Sequence, residues 1–502
     1  VRRILLWAAL VALIFTATAS ATKRYVSQTS GNDGNAGTIS SPYQTLGKLE
    51  SVMANNDTGY ITGTFNESTS GGDHLYGDYY RGNLYFDGLN GWLIAQWPDS
   101  TRPRLYGNKP GSCSWPPSCG NVQGFDGTGI DVYQCDNWEI RNLDFRFCAR
   151  GIFMDNCTTW TVRGCTFDSI FAGSSHVVGN GCRGSYCNFG AVFPGYIGSG
   201  HGMTLGRITN CIFGADIYDA CGTNGPFNHD TDPAECLCGW AGPWTLSSGG
   251  QNGGAIFTYR MVSNRIDSCT FLCAYTQIYL KGEAHYNTAE YNTHMGARGH
   301  GAFFSSSGIH DTVRNNLYVD CNPAVEPWSY VGSSTYCDTP YIYNNTFYLC
   351  PTDIELSNDG KIVRSMVVFN NIFAKFTNRA LDHGGDAPVN GNTIELWDYN
   401  AYDNTTGSTK FTFNSTNYTL STWKSSLGWE GHEVNASPDF FVDTTAAGGR
   451  DFRLNPGGAS YATLATGGRG GRWPRYFGAI NPASPGTPAV LPPLPLRKRA
   501  RK

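Results

Sequence analysis

The sequence predicts an all-β solenoid, one long coil of stacked parallel strands, and three observations predict it. The first is a repeat. Residues 130–145 and 152–167 align at a constant offset of 22, with Ile130 over Ile152, Cys135 over Cys157, Trp138 over Trp160, Ile140 over Val162, Arg141 over Arg163 and Phe145 over Phe167. Self-similarity at this period marks coils that each bury an apolar face against the next. The second is spacing within the unit: Ile140, Leu143 and Phe145 follow a short strand-like pattern, whereas a helix needs three- and four-residue steps sustained for longer. The third is composition. With 62 Gly, 14% aromatic and 15% charged residues in 502, the chain suits strands joined by many turns.

The first element in order is a secretory signal over 1–21: Arg2 and Arg3, an apolar run from Ile4 to Phe15, and Ala19-Ser20-Ala21 as a cleavage site. The run is short for a membrane span. A secreted or cell-envelope location follows, in which disulfides are permitted. Residues 22–59 read as a short strand, a polar Gly/Asn loop and, after Pro42, a helix from Gln44 to about Asn55. Such a helix would cap the first coil, whose core would otherwise be exposed.

This opening stretch, Tyr25-Val-Ser through Asn32-Asp33-Gly34, Gly37-Thr38, Pro42 and Thr45-Leu46, resembles the N-terminus of pectate-lyase-like β-helix proteins, among them the family 9 polysaccharide lyases. The similarity continues at Gly82-Asn-Leu-Tyr-Phe-Asp-Gly and at Trp92-Leu-Ile-Ala-Gln-Trp-Pro98. The resemblance implies a right-handed parallel β-helix, expected over 60–481 with long loops, and a carbohydrate-active function.

Further units carry an Arg-Asn-x-x-Phe or Asn-Asn ending: Arg207 to Phe213, Arg265 to Phe271, Arg314-Asn315-Asn316, Asn344-Asn345 to Phe347, Asn370-Asn371 to Phe373, and Asn400 to Tyr402. Asn tolerates the left-handed bend between strands and hydrogen-bonds the neighbouring backbone, so these pairs read as structural. With strands ~4.8 Å apart, ten to fourteen coils would form a rod roughly 50 to 65 Å long. The largest insertions, 172–202 and 214–255, are where loops would carry a site. A short helix is expected around Thr422 to Leu427. Asn435 to Leu454 resembles a closing coil, and 482–502 is a Pro-rich basic tail.

The 17 cysteines divide into two kinds. Cys135, Cys157, Cys165, Cys211 and Cys269 repeat in phase and read as buried ladder residues. Cys113/Cys119, Cys182/Cys187 and Cys236/Cys238 lie in loops, where disulfides are expected for some of the pairs. A net charge of −4 gives no footprint for nucleic acid, and an acidic polymer would need a local cationic site. A monomer with a polysaccharide partner is expected.

Two chemistries suit a groove on such a rod, and cleavage of an acidic polysaccharide by a lyase-like β-elimination is the leading expectation. β-Elimination on a uronic acid needs a cation, commonly Ca²⁺ held by carboxylates, and a base. Lys281, at the end of an apolar strand, is the candidate base, and the resemblance to family 9 lyases implies a lysine in that role. Asp216, Asp219, Asp230 and Asp232 are the candidate calcium ligands. A solvated lysine and ordinary turn carboxylates are the plainer readings. The other chemistry is hydrolysis by paired carboxylates. Gly200-His201-Gly202 to Gly206 resembles the GHG-x-x-x-G motif of polygalacturonases, which makes His201 a second catalytic candidate, although the companion motifs are absent. Trp240, Trp244, Tyr279 and His285 are candidate sugar contacts, with coil packing as the alternative for the aromatics. A non-catalytic glycan-binding surface protein is the rival from another class.

Overall fold

The structure, a computed structural model, describes residues 21–66, 82–106, 128–146, 148, 150–168, 170–172, 188–194, 203–214, 217–219, 252–272, 276–282, 284–297, 302–306, 308–328, 336–356, 362–383, 392–403, 410–436, 440–444, 451–457, 461–466 and 479. Three long sheets run along one axis. Sheet A has 14 strands and begins with Lys23–Ser27; sheets B and C have 12 each and begin with Gly82–Asp87 and Thr64–Asn66. A typical turn of the coil runs Ile278–Lys281 in B, Thr288–Glu290 in A, Thr293–Met295 in C, and returns to B at Phe303–Ser306. Each strand of this turn pairs in parallel with its counterpart one turn on, and sheet B ends in an antiparallel pair, Phe411–Phe413 with Thr416–Tyr418. About twelve turns give a rod ~55 Å long.

The offset of 22 is the register of the coil. Ile130 pairs with Ile152, Trp138 with Trp160, Ile140 with Val162, Arg141 with Arg163, and Phe145 with Phe167. Like residues therefore stack. Inside sheet C the rings of Phe145, Phe167, Phe213 and Phe271 lie nearly parallel at 4.7–5.0 Å, and His294, Tyr318, Phe347 and Phe373 continue the column. Stacked aromatics add to the area they bury. His294 thus serves as a core ring, and burial pushes its pKa down to about 3.

The bend from sheet A to sheet C holds a second ladder. Its inward position is Cys165, Cys211 and Cys269 in successive turns, then Asn292, Asn316, Asn345, Asn371 and Asn400. Each Asn side chain accepts from the backbone N–H of the preceding member and donates to the next, as Asn345 does between Asn316 and Asn371. Glu430 ends the row by accepting from Asn400 at 2.8 Å. The residue before each ladder position has a positive φ, between 53° and 59° at Asn210, Ser268, Tyr291, Asn315, Asn344, Asn370 and Tyr399. In the Asn-Asn pairs the first Asn makes the bend and the second the ladder. All nine described cysteines are buried free thiols, as the in-phase five were expected to be; Cys113, Cys119, Cys182, Cys187, Cys236 and Cys238 lie outside the described residues.

A third column runs along the bend from B to A. Trp92, Trp138 and Trp160 stack at 5.3 and 5.8 Å. The next position is Gly206, followed by Asn264, Asn287 and Asp311. A Cβ on Gly206 would lie 1.9 Å from the Trp160 ring. Gly206, the last glycine of the polygalacturonase-like motif, is accounted for by packing.

The opening helix spans Leu46–Val52, shorter than expected. Thr45 caps it, and Leu46 and Leu49 are buried against the first turn. The helix at Leu420–Leu427 has a Thr419/Thr422 capping box and stops at Gly428, φ 71°. One expectation is corrected. Phe441–Asp443 and Asp451–Leu454 pair antiparallel, so this segment is no further turn of the coil. Phe440, Phe441, Phe452 and Leu454 form a separate cluster with Leu317, Val319, Tyr348 and Ile372 of sheet C. The outer face of sheet C is apolar there, and covering it removes that surface from water.

Candidate active site

Sheet B has one outer column that changes character along the rod. Val325, Ile354, Leu356 and Leu381 face the core, so alternation turns Glu326, Glu355 and Asp382 outward. Val325 pairs with Ile354, which sets Glu326 beside Glu355 one residue on, and Glu355 pairs with Asp382. Three carboxyl groups therefore stand on consecutive strands, with ~4.8 Å between neighbouring backbones. Toward the N-terminus the same column is aromatic. Phe257 is in register with Tyr279, and Tyr279 with Phe304, the neighbour of Glu326.

The environments of the last two acids differ. Asp382 has a cation: Arg379 Nη1 lies 2.5 Å from Oδ1, and Asn378 donates to Oδ2 at 3.2 Å. Asn378 is held in turn by Thr352. Glu355 has no hydrogen-bond partner among the described residues. Burial, reinforced by the charge of Asp382, pushes its pKa up to about 7. A carboxyl group left neutral near neutrality beside one held by an arginine is the division of labour that acid–base chemistry needs.

The residues expected from the sequence fall as follows. Lys281 ends the strand Ile278–Lys281 on sheet B, in register with Tyr259. It stands three strands before Glu355's, ~14 Å along the rod. Tyr279 is buried edge-to-face against Phe257, centroids 4.8 Å apart. His285 is half-buried at the corner leading to sheet A, where its backbone bridges Val262 and Ile309. Asp219 closes the strand Ile217–Asp219. His201, Asp216, Asp230, Asp232, Trp240 and Trp244 lie outside the described residues. No group of three His, Cys, Asp or Glu side chains is gathered for a metal among the described residues. Sheet B thus carries Lys281, Tyr279 and the acid column together. The acids were missed in the sequence. Their only signal is an acid at an outward position of a short apolar strand, in Val325-Glu-Pro-Trp, Thr352-Asp-Ile-Glu-Leu and Arg379-Ala-Leu-Asp-His.

Parallel sheets wound by successive turns, with an inward ladder at the bend from A to C, decide the architecture. The chain is a parallel β-helix. No family model and no curated protein matches the sequence. Solved structures similar to it include pectate lyase Pel9A, 12% identical with a TM-score of 0.47, over 92% of this chain and 96% of that one. A rhamnogalacturonan lyase is 12% identical with a TM-score of 0.40, over 88% and 98%. The GH136 lacto-N-biosidase from Eubacterium ramulus is 11% identical with a TM-score of 0.42, over 76% of this chain and 63% of that one. The fold assignment for this β-helix rests on its own sheets, and the site on its own side chains. No described helix is long and apolar enough to cross a membrane.

Proposed function

We propose that this β-helix is a carbohydrate-active enzyme that hydrolyses a glycosidic bond on the outer face of sheet B, with Glu355 as general acid and Asp382, held by Arg379, as the partner carboxylate. The observation that carries this reading is the in-register pair, one member neutralised by burial and the other held by Arg379. Glu355 would protonate the leaving oxygen. Asp382 would stabilise or attack the developing oxocarbenium centre, or direct a water to it.

A second reading is favoured by one observation, the presence of Lys281 on the same sheet. In it a uronate polymer would be cleaved by β-elimination, with Lys281 as base and calcium held by aspartates of the insertions. One experiment separates the two. The secreted protein is incubated with neutral and uronate polysaccharides, with and without Ca²⁺, and both new reducing ends and unsaturated products are measured. Reducing ends without unsaturation, lost in Glu355→Gln, support hydrolysis. Unsaturated product lost in Lys281→Ala supports elimination and overturns the first reading. Binding without either product makes the protein a glycan-binding surface β-helix.

A further inference from the structure

The outer face of sheet A carries a row of arginines that the proposed reaction does not use. Arg141, Arg163, Arg207, Arg265 and Arg314 stand on strands from Asp136–Arg141 to Thr312–Arg314. These are six consecutive strands of the sheet, so the row is ~24 Å long. Arg141 is in register with Arg163, and Arg207 with Arg265 in the adjacent outward column two residues earlier, while Arg314 lies in the column of Arg163 by way of Thr209, Asp267 and Glu290.

The acids among them lie beneath the arginines. Asp267 accepts from Arg207 through two bonds of 2.7 and 2.8 Å and pairs with Arg265 at 3.2 Å. Glu290 pairs with Arg265 at 2.7 Å and with Arg314 at 2.6 Å, and Glu139 with Arg141 at 2.6 Å. The side chains of Asp267 and Glu290 are 3% and 1% exposed, whereas Arg207 and Arg265 are 48% and 46% exposed. Burial alone would raise the pKa of Asp267, but the bonds from Arg207 and Thr209 and the charge of Arg265 outweigh it and hold the carboxyl below its usual range. Arg163 is exposed and has no partner among the described residues.

A ladder of ion pairs that served only to hold the strands would balance its charges. Here five arginines meet three acids, Glu139, Asp267 and Glu290. A guanidinium has five N–H donors, and Arg207 spends two of them on Asp267. The buried carboxylates fix the arginines in place, so little side-chain freedom remains to be lost when a ligand arrives. We infer that this face of sheet A is a binding strip for an anionic polysaccharide, one with a carboxylate or sulfate on its sugar units. The spacing of arginines on strands ~4.8 Å apart favours it over nucleic acid, whose duplex carries a charge every ~1.7 Å. Sheets A and B are different faces of the rod, so the strip could hold a polymer while the acid column acts on another chain.

The test uses the full secreted protein and two probes, polygalacturonate and a sulfated glycosaminoglycan, with a neutral glucan as control. Arg163→Gln and Arg141→Gln are the variants, because neither leaves a fully buried acid unpaired. The expected result is binding of an anionic probe that weakens with salt, and a loss of about 10-fold in the double variant with a shallower salt dependence. Circular dichroism and melting checks that the variant is folded. Absence of salt-sensitive binding to both anionic probes, equal affinity for the neutral glucan, or full binding by the folded double variant overturns the inference. None of these results bears on hydrolysis at Glu355.

Discussion

Glu355 and Asp382 face each other in register across two parallel strands of sheet B, and Arg379 stands beside only one of them. Two carboxyl groups at this spacing resist ionising together. The arginine pairs with Asp382, and burial keeps the proton on Glu355 up to about pH 7.

Replacing either acid tests that division. Glu355→Gln and Asp382→Asn are each expected to lower kcat by about 10²–10⁴ on a substrate found in the polysaccharide panel, with unfolding midpoints close to that of the parent. The pH profile carries a sign. Glu355 must be protonated to act, so kcat/KM should fall as pH rises through about 7. An alkaline limb of that kind that persists in Glu355→Gln would assign the titration to another group.

Gly206→Ala should be among the most damaging small substitutions in the protein. Its Cβ would lie 1.9 Å from the Trp160 ring, and the ring is locked between Trp138 and the next turn. Overpacking of this kind costs about 1–3 kcal/mol or more. Denaturant unfolding of the variant measures it, and a companion Trp160→Leu change should restore part of the loss.

The two positions of the bend should respond in opposite directions. Asn345→Ala strips the backbone N–H of Asn316 and the carbonyl of Val313 of their partners, at a cost of about 3 kcal/mol. Tyr291 holds the bend conformation, φ 56°, with its ring exposed. Tyr291→Gly relieves that backbone and should leave stability unchanged or raise it by up to about 1 kcal/mol. Equal losses in the two variants would contradict the separation of bend from ladder.

Asp311 makes stability depend on pH. It ends the Trp–Gly–Asn column, where it accepts from Asn287 and Ser305. Burial outweighs these bonds and raises its pKa from 3.8 to about 7. The proton is held more tightly in the folded state. Its contribution is therefore full below pH ~4 and is lost as pH rises through about 7. Asp311→Asn keeps an acceptor for Asn287 and cannot ionise. Measured against the parent, it should gain on the order of 2–4 kcal/mol between pH 4 and pH 8, read from urea midpoints across that range.

The sequence by itself determined the coil. An offset of 22 is visible because Ile130, Trp138 and Phe145 recur unchanged at Ile152, Trp160 and Phe167, and a parallel turn sets like residues over like. The Asn-Asn pairs were legible too, since few residues satisfy a left-handed bend and a buried ladder side by side. The acid column and the arginine strip were decided by the tertiary structure alone. Glu326, Glu355 and Asp382 belong to different turns of unequal length, and so do Arg163, Arg207, Arg265 and Arg314. Loops of varying size between the strands hide that the acids share one column and the arginines two adjacent ones. Only the register of sheets A and B brings them together, because a side chain's neighbours on a β-helix come from the turns above and below it rather than from its own stretch of chain.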